Sequence, residues 1–274
     1  MRIGWIAAIL SAACVWGMPA WAQSSPRLDN QEIAKETQNP VSHYATLPLR
    51  YKVEGPSGAD DSIKKSYEIN HAIVPVKVSD DWNVITRTKL TLVSQPSRTA
   101  GGQRTFGLDN GYTEFYVSPE QGDDGLYWGL GPLLYYPATN ANLGPEKWGT
   151  GPAAALVKVG KGAWLWGVIA KNTWTVGPSD AGGGDTNEFS LNPFASYNFK
   201  DGWSLGTSPT FTADWQAASN QRWTVPVGAS VGKAFRLMDQ PARVSVDSYY
   251  NAVRPDSRQE SWNASITVKL LFAR

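Results

Sequence analysis

His43 and His71 are the two side chains of this chain best suited to general-base chemistry near neutral pH. A histidine beside a serine would support lipid hydrolysis or acyl transfer. Nothing in the sequence places a serine beside His71, which falls on the same face of its segment as Tyr67, Ile69 and Ile73. The single cysteine, Cys14, lies in an apolar leader, and two distant histidines cannot build a common zinc set. Asp180-Ala-Gly-Gly-Gly-Asp185 has too few carboxylates for a calcium loop, and no helix follows Gly101-Gly102 to make a phosphate cradle. The expectation is therefore a protein that is not an enzyme, with no catalytic residues, metal or cofactor. What remains is a set of charges inside otherwise alternating segments: Arg50, Lys52, Glu68, Arg87, Lys89, Glu114, Glu188, Arg222, Arg243, Asp247 and Lys269, with Glu54 and Asp214 beside them. Charges in that setting need water or opposite charges, so their chemistry is solute binding or ion pairing in a wet interior.

The elements that would position them alternate with a period of two. In the last segment Trp262, Ala264, Ile266, Val268, Leu270 and Phe272 share one face. Asn263, Ser265, Thr267 and Lys269 share the other, with Leu271 an exception. In Trp82 to Val93 the polar face holds Asn83, Arg87, Lys89 and Thr91, with Ile85 and Val93 as exceptions. About twelve such segments follow one another: 47–54, 66–78, 82–93, 111–118, 126–136, 148–159, 164–176, 188–199, 203–213, 222–235, 242–252 and 261–272. Their connections alternate between short Gly-, Asp- or Pro-rich turns (79–81, 119–125, 160–162, 200–202, 237–240) and longer polar loops. Aromatic residues gather at the segment ends, with Trp82, Tyr127, Trp128, Trp164, Trp166, Phe199, Trp203 and Phe235 near the short turns. Trp148, Trp174, Trp215, Trp223 and Trp262 lie near the long loops.

Two girdles and a polar second face predict an all-β, up-and-down transmembrane antiparallel β-barrel of about 12 strands, with short periplasmic turns and longer extracellular loops. A soluble sandwich would bury the same aromatics, but it has no need for long and short connections that alternate so regularly. An even strand number leaves both ends of the barrel segment in the periplasm. A lumen of this width lies between small filled barrels and wide porins, so an open pore and a closed structural barrel are both compatible with it.

Arg2, the apolar run from Ile3 to Trp16, Pro19 and Ala20-Trp21-Ala22 have the layout of a secretory signal peptide cleaved after Ala22. The run is too short for a spanning helix, and Ser11 stands where a lipoprotein signal needs Leu. The chain carries 25 basic and 24 acidic residues, so removing Arg2 leaves it formally neutral and gives no basic stripe for nucleic acid. The organisation expected is residues 1–22 as leader, 23–45 as a periplasmic lead-in or short plug, and 46–274 as barrel. A helical turn or two is expected between Asp29 and Gln38.

The chain also resembles the outer-membrane proteins grouped under the meta-pathway of phenol degradation, whose members are often labelled transporter or, misleadingly, neuromedin U. The resemblance rests on Glu36-Thr-Gln-Asn-Pro-Val41, Asp81-Trp-Asn-Val-Ile-Thr-Arg87, Ser94-Gln-Pro-Ser97, Thr105-Phe-Gly-Leu108, Gly129-Leu-Gly-Pro132 and Leu143-Gly-Pro-Glu-Lys-Trp-Gly149 with Gly151-Pro152. It continues through Asn192-Pro-Phe194 with Tyr197-Asn198, Asp201-Gly-Trp203, Arg222-Trp-Thr-Val-Pro-Val227 and Tyr249-Tyr-Asn251. It implies an outer-membrane barrel and passive uptake of small, poorly soluble or aromatic molecules. It carries no agreed ligand-binding residues. The partners to expect are outer-membrane lipid, a small-molecule solute, and the barrel assembly machinery, which recognises a C-terminal aromatic; here Phe272 stands two residues before the end. A non-transporting structural barrel and a lipid-modifying barrel enzyme are the alternative functions.

Overall fold

In a computed structural model that describes residues 28–122, 124–177 and 184–273, each of the twelve alternating segments becomes one stave of a closed antiparallel barrel. The leader with its cleavage point after Ala22, and most of the 180–185 loop, lie outside the described residues. The strands are β1 (Ala45–Ser57), β2 (Ser62–Lys77), β3 (Trp82–Gln95), β4 (Thr105–Leu108), β5 (Gly111–Pro119), β6 (Leu126–Tyr136), β7 (Trp148–Val159), β8 (Trp164–Val176) and β9 (Asn187–Asn198). They continue with β10 (Trp203–Thr207), β11 (Phe211–Asp214), β12 (Trp223–Leu237), β13 (Gln240–Val253) and β14 (Trp262–Phe272). The segment expected at 203–213 is split into β10 and β11, which both pair with β9 and β12 and so make one stave. Pro209 sits in the gap, where a residue without an N–H cannot continue the ladder. β4 is a short addition within the loop expected at 94–110, folded back on the end of β3.

Ring closure is made by β1 and β14, in continuous register from Ala45 opposite Phe272 to Gly55 opposite Trp262. Outward side chains are apolar and exposed, as with Ile266, Val268, Val246, Leu205 and Leu130, and the expected tryptophans ring both ends. One girdle expectation is corrected: Tyr127 faces inward, where its ring meets His43 edge-on at 5.7 Å. Trp128, its neighbour, points outward and packs on Trp82 across the wall.

The inner face is not uniformly polar. Val41, Ile73, Ile85, Tyr116, Leu133, Ala153, Ala155, Val157, Leu165 and Ile169 form an apolar cluster inside the barrel. Of these, Val41 comes from the N-terminal segment. That segment forms the helix α1 (Asn30–Glu36), opened by a capping box in which Asp29 and Glu32 satisfy each other's backbone N–H groups. Ile33 and Ala34 pack on Ala234. Lys35 donates to the Gly160 carbonyl (2.8 Å), Gln38 to Asn198 Oδ1 (2.7 Å) and Arg236 to the Leu28 carbonyl (3.0 Å). All of these partners lie at or near short turns, so residues 28–44 dock in the short-turn end of the barrel. Gly129 leaves the space in which Val41 and Tyr116 meet; a Cβ there would lie 3.1 Å from Val41 Cγ1.

Ile85, expected as an exception to the alternation, therefore faces this internal cluster, and Leu271 is likewise fully buried on the inner side. Because the lipid face carries no polar partner, Ile266→Arg is expected to cost about 2–4 kcal/mol. Urea unfolding of the protein folded into lipid vesicles measures this, and a loss within experimental error would place residue 266 away from the hydrocarbon.

Candidate functional site

One residue sets the phase of the site. Between Asn70 and Ala72 the β2–β3 register slips by one position, and His71 is the extra residue, with φ at 68°. A bulge of this kind exchanges the two faces of a strand. Ser66 and Glu68 are buried before it, whereas Ile73 and Pro75 are buried after it. His71 therefore does not share a face with Tyr67 and Ile69, as its spacing suggested. It points into the lumen, where Nε2 lies 2.7 Å from Tyr112 Oη. The Asn70 amide, oriented with its oxygen toward the Arg50 guanidinium, donates to His71 Nδ1 at 3.1 Å. In that arrangement the imidazole is neutral, and its Nε2–H donates to Tyr112.

From Tyr112 a charged network joins β3 and β5 to β8 inside the barrel. The Lys171 ammonium lies 3.1 Å from the Tyr112 ring centroid and 3.3 Å from Glu114 Oε1. Arg87 Nη1 donates to Glu114 Oε2 at 2.6 Å, directly across the β3–β5 ladder. Glu114 is fully buried and carries two cations, so its charge is locally overcompensated.

The other residues singled out by the sequence fall into three places. Toward the long loops, Glu54 is buried and accepts from Lys52 (2.8 Å), with Lys64 at 3.9 Å and Arg258 at 3.7 Å. At the same end Glu188, open to solvent, stands opposite Asp214. Arg222 precedes β12 rather than opening it, and its Nε donates to the Ala217 carbonyl (2.9 Å), so it fastens a loop at the rim. At mid-height Arg50 approaches Glu68 (3.7 Å) and donates to Thr267 Oγ1 (3.2 Å), while Lys89 stands opposite Asn70 of β2 and Tyr112 of β5. Toward the short turns, Arg243 donates to Ser204 Oγ (3.0 Å), and Lys269 donates to the Thr37 carbonyl (2.6 Å). Asp247 accepts from Ser265 Oγ (3.1 Å).

A cavity of about 190 Å³ separates the last two levels. Thr37, Gln38, Asn39 and Pro40 from the docked segment line it together with Arg50, His71, Arg87, Arg243, Asp247 and Lys269. Lys171, Tyr112 and Asn70 were not among the candidates. Lys171 was readable, because Trp164, Trp166 and Trp174 point outward and place it on the opposite face. Tyr112 reads as an ordinary strand aromatic, and Asn70 carries no pattern until the bulge is known.

No family model matches this chain, and no curated protein sequence matches it. Among solved structures it is similar to an outer membrane channel from Pseudomonas putida F1, at 16% identity over 84% of this chain and 96% of that one, with a TM-score of 0.61. Outer membrane phospholipase A from Escherichia coli (11% identity, 82% and 95% covered, TM-score 0.47) is more distant. So is Salmonella typhi OmpF in complex with daunomycin (10%, 84% and 96%, 0.40). The fold is thus that of an outer-membrane β-barrel.

Two outcomes follow. Glu114→Gln leaves Arg87 and Lys171 without their carboxylate and is expected to cost about 3 kcal/mol, partly recovered by adding Lys171→Met. Urea unfolding of both variants tests this, and an unchanged midpoint for the single variant would refute it. The second concerns the docked segment. Burial raises the Glu36 carboxyl above the ordinary carboxylate range, against the opposing hydrogen bonds of Ser42 and Asn39. A raised acid favours docking while protonated, so this contribution is present at low pH and lost as pH rises through the raised value. A spin label at Asn30→Cys should gain mobility as pH rises through that raised value, above the ordinary carboxylate range, and Glu36→Gln should abolish that gain. An identical pH response in both proteins would exclude Glu36 as its source.

Proposed function

We propose that this protein is an outer-membrane channel passing small molecules without energy input, exported by a leader removed after Ala22 and inserted by the barrel assembly machinery. One observation carries the reading: a polar cavity bounded by charged side chains lies in the membrane-spanning part of a closed barrel whose outer face is apolar. Charged side chains at that depth are costly unless they face water or partners, so their presence favours a route for polar or polarised solutes. The barrel likeness to an outer membrane channel is compatible with this, and the resemblance to the phenol-degradation family adds aromatic or poorly soluble molecules as the solute class.

The docked segment decides how the channel would work. Thr37 to Pro40 form the floor of the cavity, so passage to the periplasmic end requires that floor to shift or leak. A purely structural barrel is the second reading, and the Arg87–Glu114–Lys171 network, which ties β3 and β5 to β8 inside the barrel, favours it. The partners of His71, a tyrosine and an amide rather than a serine, support a place in the lumen wall over a general-base role. That is in line with a protein that is not an enzyme.

Single-channel recording in planar bilayers separates the two readings. A chain lacking residues 28–41 is expected to conduct in larger steps than the intact chain. Electrical silence of both, with folding verified by heat-modifiable migration, would leave the structural barrel.

A further inference from the structure

The charges around the cavity do not balance. Arg50, Arg87, Arg243 and Lys269 line it, against the single carboxylate of Asp247. Arg87 is committed to Glu114, and Arg50 is shared between Glu68 and Thr267. Arg243 and Lys269 stand opposite each other across the β13–β14 ladder, and Asp247 is the one carboxylate that lines the cavity with them. Arg243 is only 9% exposed, and its Nε has no hydrogen-bond partner although Nη2 binds Ser204. That N–H is packed against the wall at Gly232, while the guanidinium as a whole borders the cavity. Opposite it Gly232 has no side chain, and a Cβ there would collide with the guanidinium, so the backbone itself keeps the space for Arg243. Lys269 spends one of its three N–H donors on the Thr37 carbonyl, and hydroxyls of Ser230, Ser245 and Thr267 add further donors to the wall.

We propose that this cavity is a binding site for a small oxyanion, a carboxylate or a phosphate, held between Arg243 and Lys269 above the docked N-terminal segment. The planar fork of Arg243 suits the two oxygens of such a group better than a spherical ion. The ammonium of Lys269 supplies a second, compact positive charge. A volume of about 190 Å³ admits the anion with some water or a short organic body. Because Lys269 also holds the Thr37 carbonyl, the bound anion would share a donor with the floor of the cavity, joining solute binding to the position of the segment. The proposal deepens the channel reading and rests on it for how the anion arrives.

Calorimetric titration of the full chain folded in detergent, in chloride-poor buffer, tests the site without any need for conduction. Potassium acetate and potassium phosphate are the probes, with glycerol as the uncharged control. Saturable binding of either oxyanion supports the site, and the tighter of the two assigns the class. Arg243→Gln and Lys269→Gln should each weaken it about tenfold or more, since each removes a charged hydrogen bond. Asp247→Asn removes the opposing charge and should strengthen binding, which keeps the test meaningful if either cationic variant folds poorly. Binding no tighter than glycerol, chloride binding equal to the oxyanions, or an unchanged affinity in folded Arg243→Gln would overturn the site. A barrel that binds oxyanions but never conducts removes the channel and keeps the site. One that conducts without binding them removes the site alone.

Discussion

A strand in hydrocarbon has no water to satisfy its N–H and C=O groups, so the ladder must close on itself. The rest of this structure depends on that closure. The β1–β14 register brings Ala45 to Phe272 and Gly55 to Trp262, and with it every stave acquires two paired neighbours. Closure in turn forces the period of two, because successive side chains then face lipid and lumen alternately. The outward half can only be apolar. The inward half is free to carry chemistry, but charge there must be hydrated or paired, and Glu114 between Arg87 and Lys171 is the strongest case of pairing.

The barrel was legible because closure writes itself into each strand independently. β6, β7 and β8 run over the very residues that alternation and turn chemistry mark out, and α1 sits where its capping residues place it. The exceptions to alternation carried information as well. Ile85 breaks the polar face of β3 because it looks at Val41 and Tyr116 instead of water, and an apolar residue inside a barrel marks where something else fills it. Tyr127 lies beside a short turn, where girdle aromatics gather, but parity and the docked His43 draw it inward.

The candidate site was legible only in part, and the physical reason differs from residue to residue. Parity within one strand says which way Arg87 or Lys269 points. It does not say what either meets, because Arg87, Glu114 and Lys171 become neighbours through the stagger of three strands that no single segment encodes. His71 failed for another reason. Its bulge has neither Gly nor Pro to announce it, and one residue at positive φ is enough to exchange the faces of β2. The same slip turns Ile73 and Pro75 inward, so the apolar run at the end of β2 serves the internal cluster as well as the lipid.

The bulge and the docked segment are two ends of one arrangement. Without the extra residue Ile73 would face lipid, and the internal cluster that receives Val41 would lose one wall. The segment is held by the burial of Ile33, Ala34 and Val41 and by hydrogen bonds from Lys35 to Gly160, Gln38 to Asn198, and Lys269 to Thr37. The neutral bond is worth about 0.5–1.5 kcal/mol net and each lysine bond about 1.5–3 kcal/mol, and water can replace each one when it breaks. The wall is held by uninterrupted ladders in a medium that offers no replacement. The contacts of the segment are therefore weaker, one by one, than the ladders that hold the barrel. Lys269 belongs to both systems, projecting from a stave of the wall while bonding the docked segment at Thr37, so the charge balance of the cavity and the seat of the segment meet in one side chain.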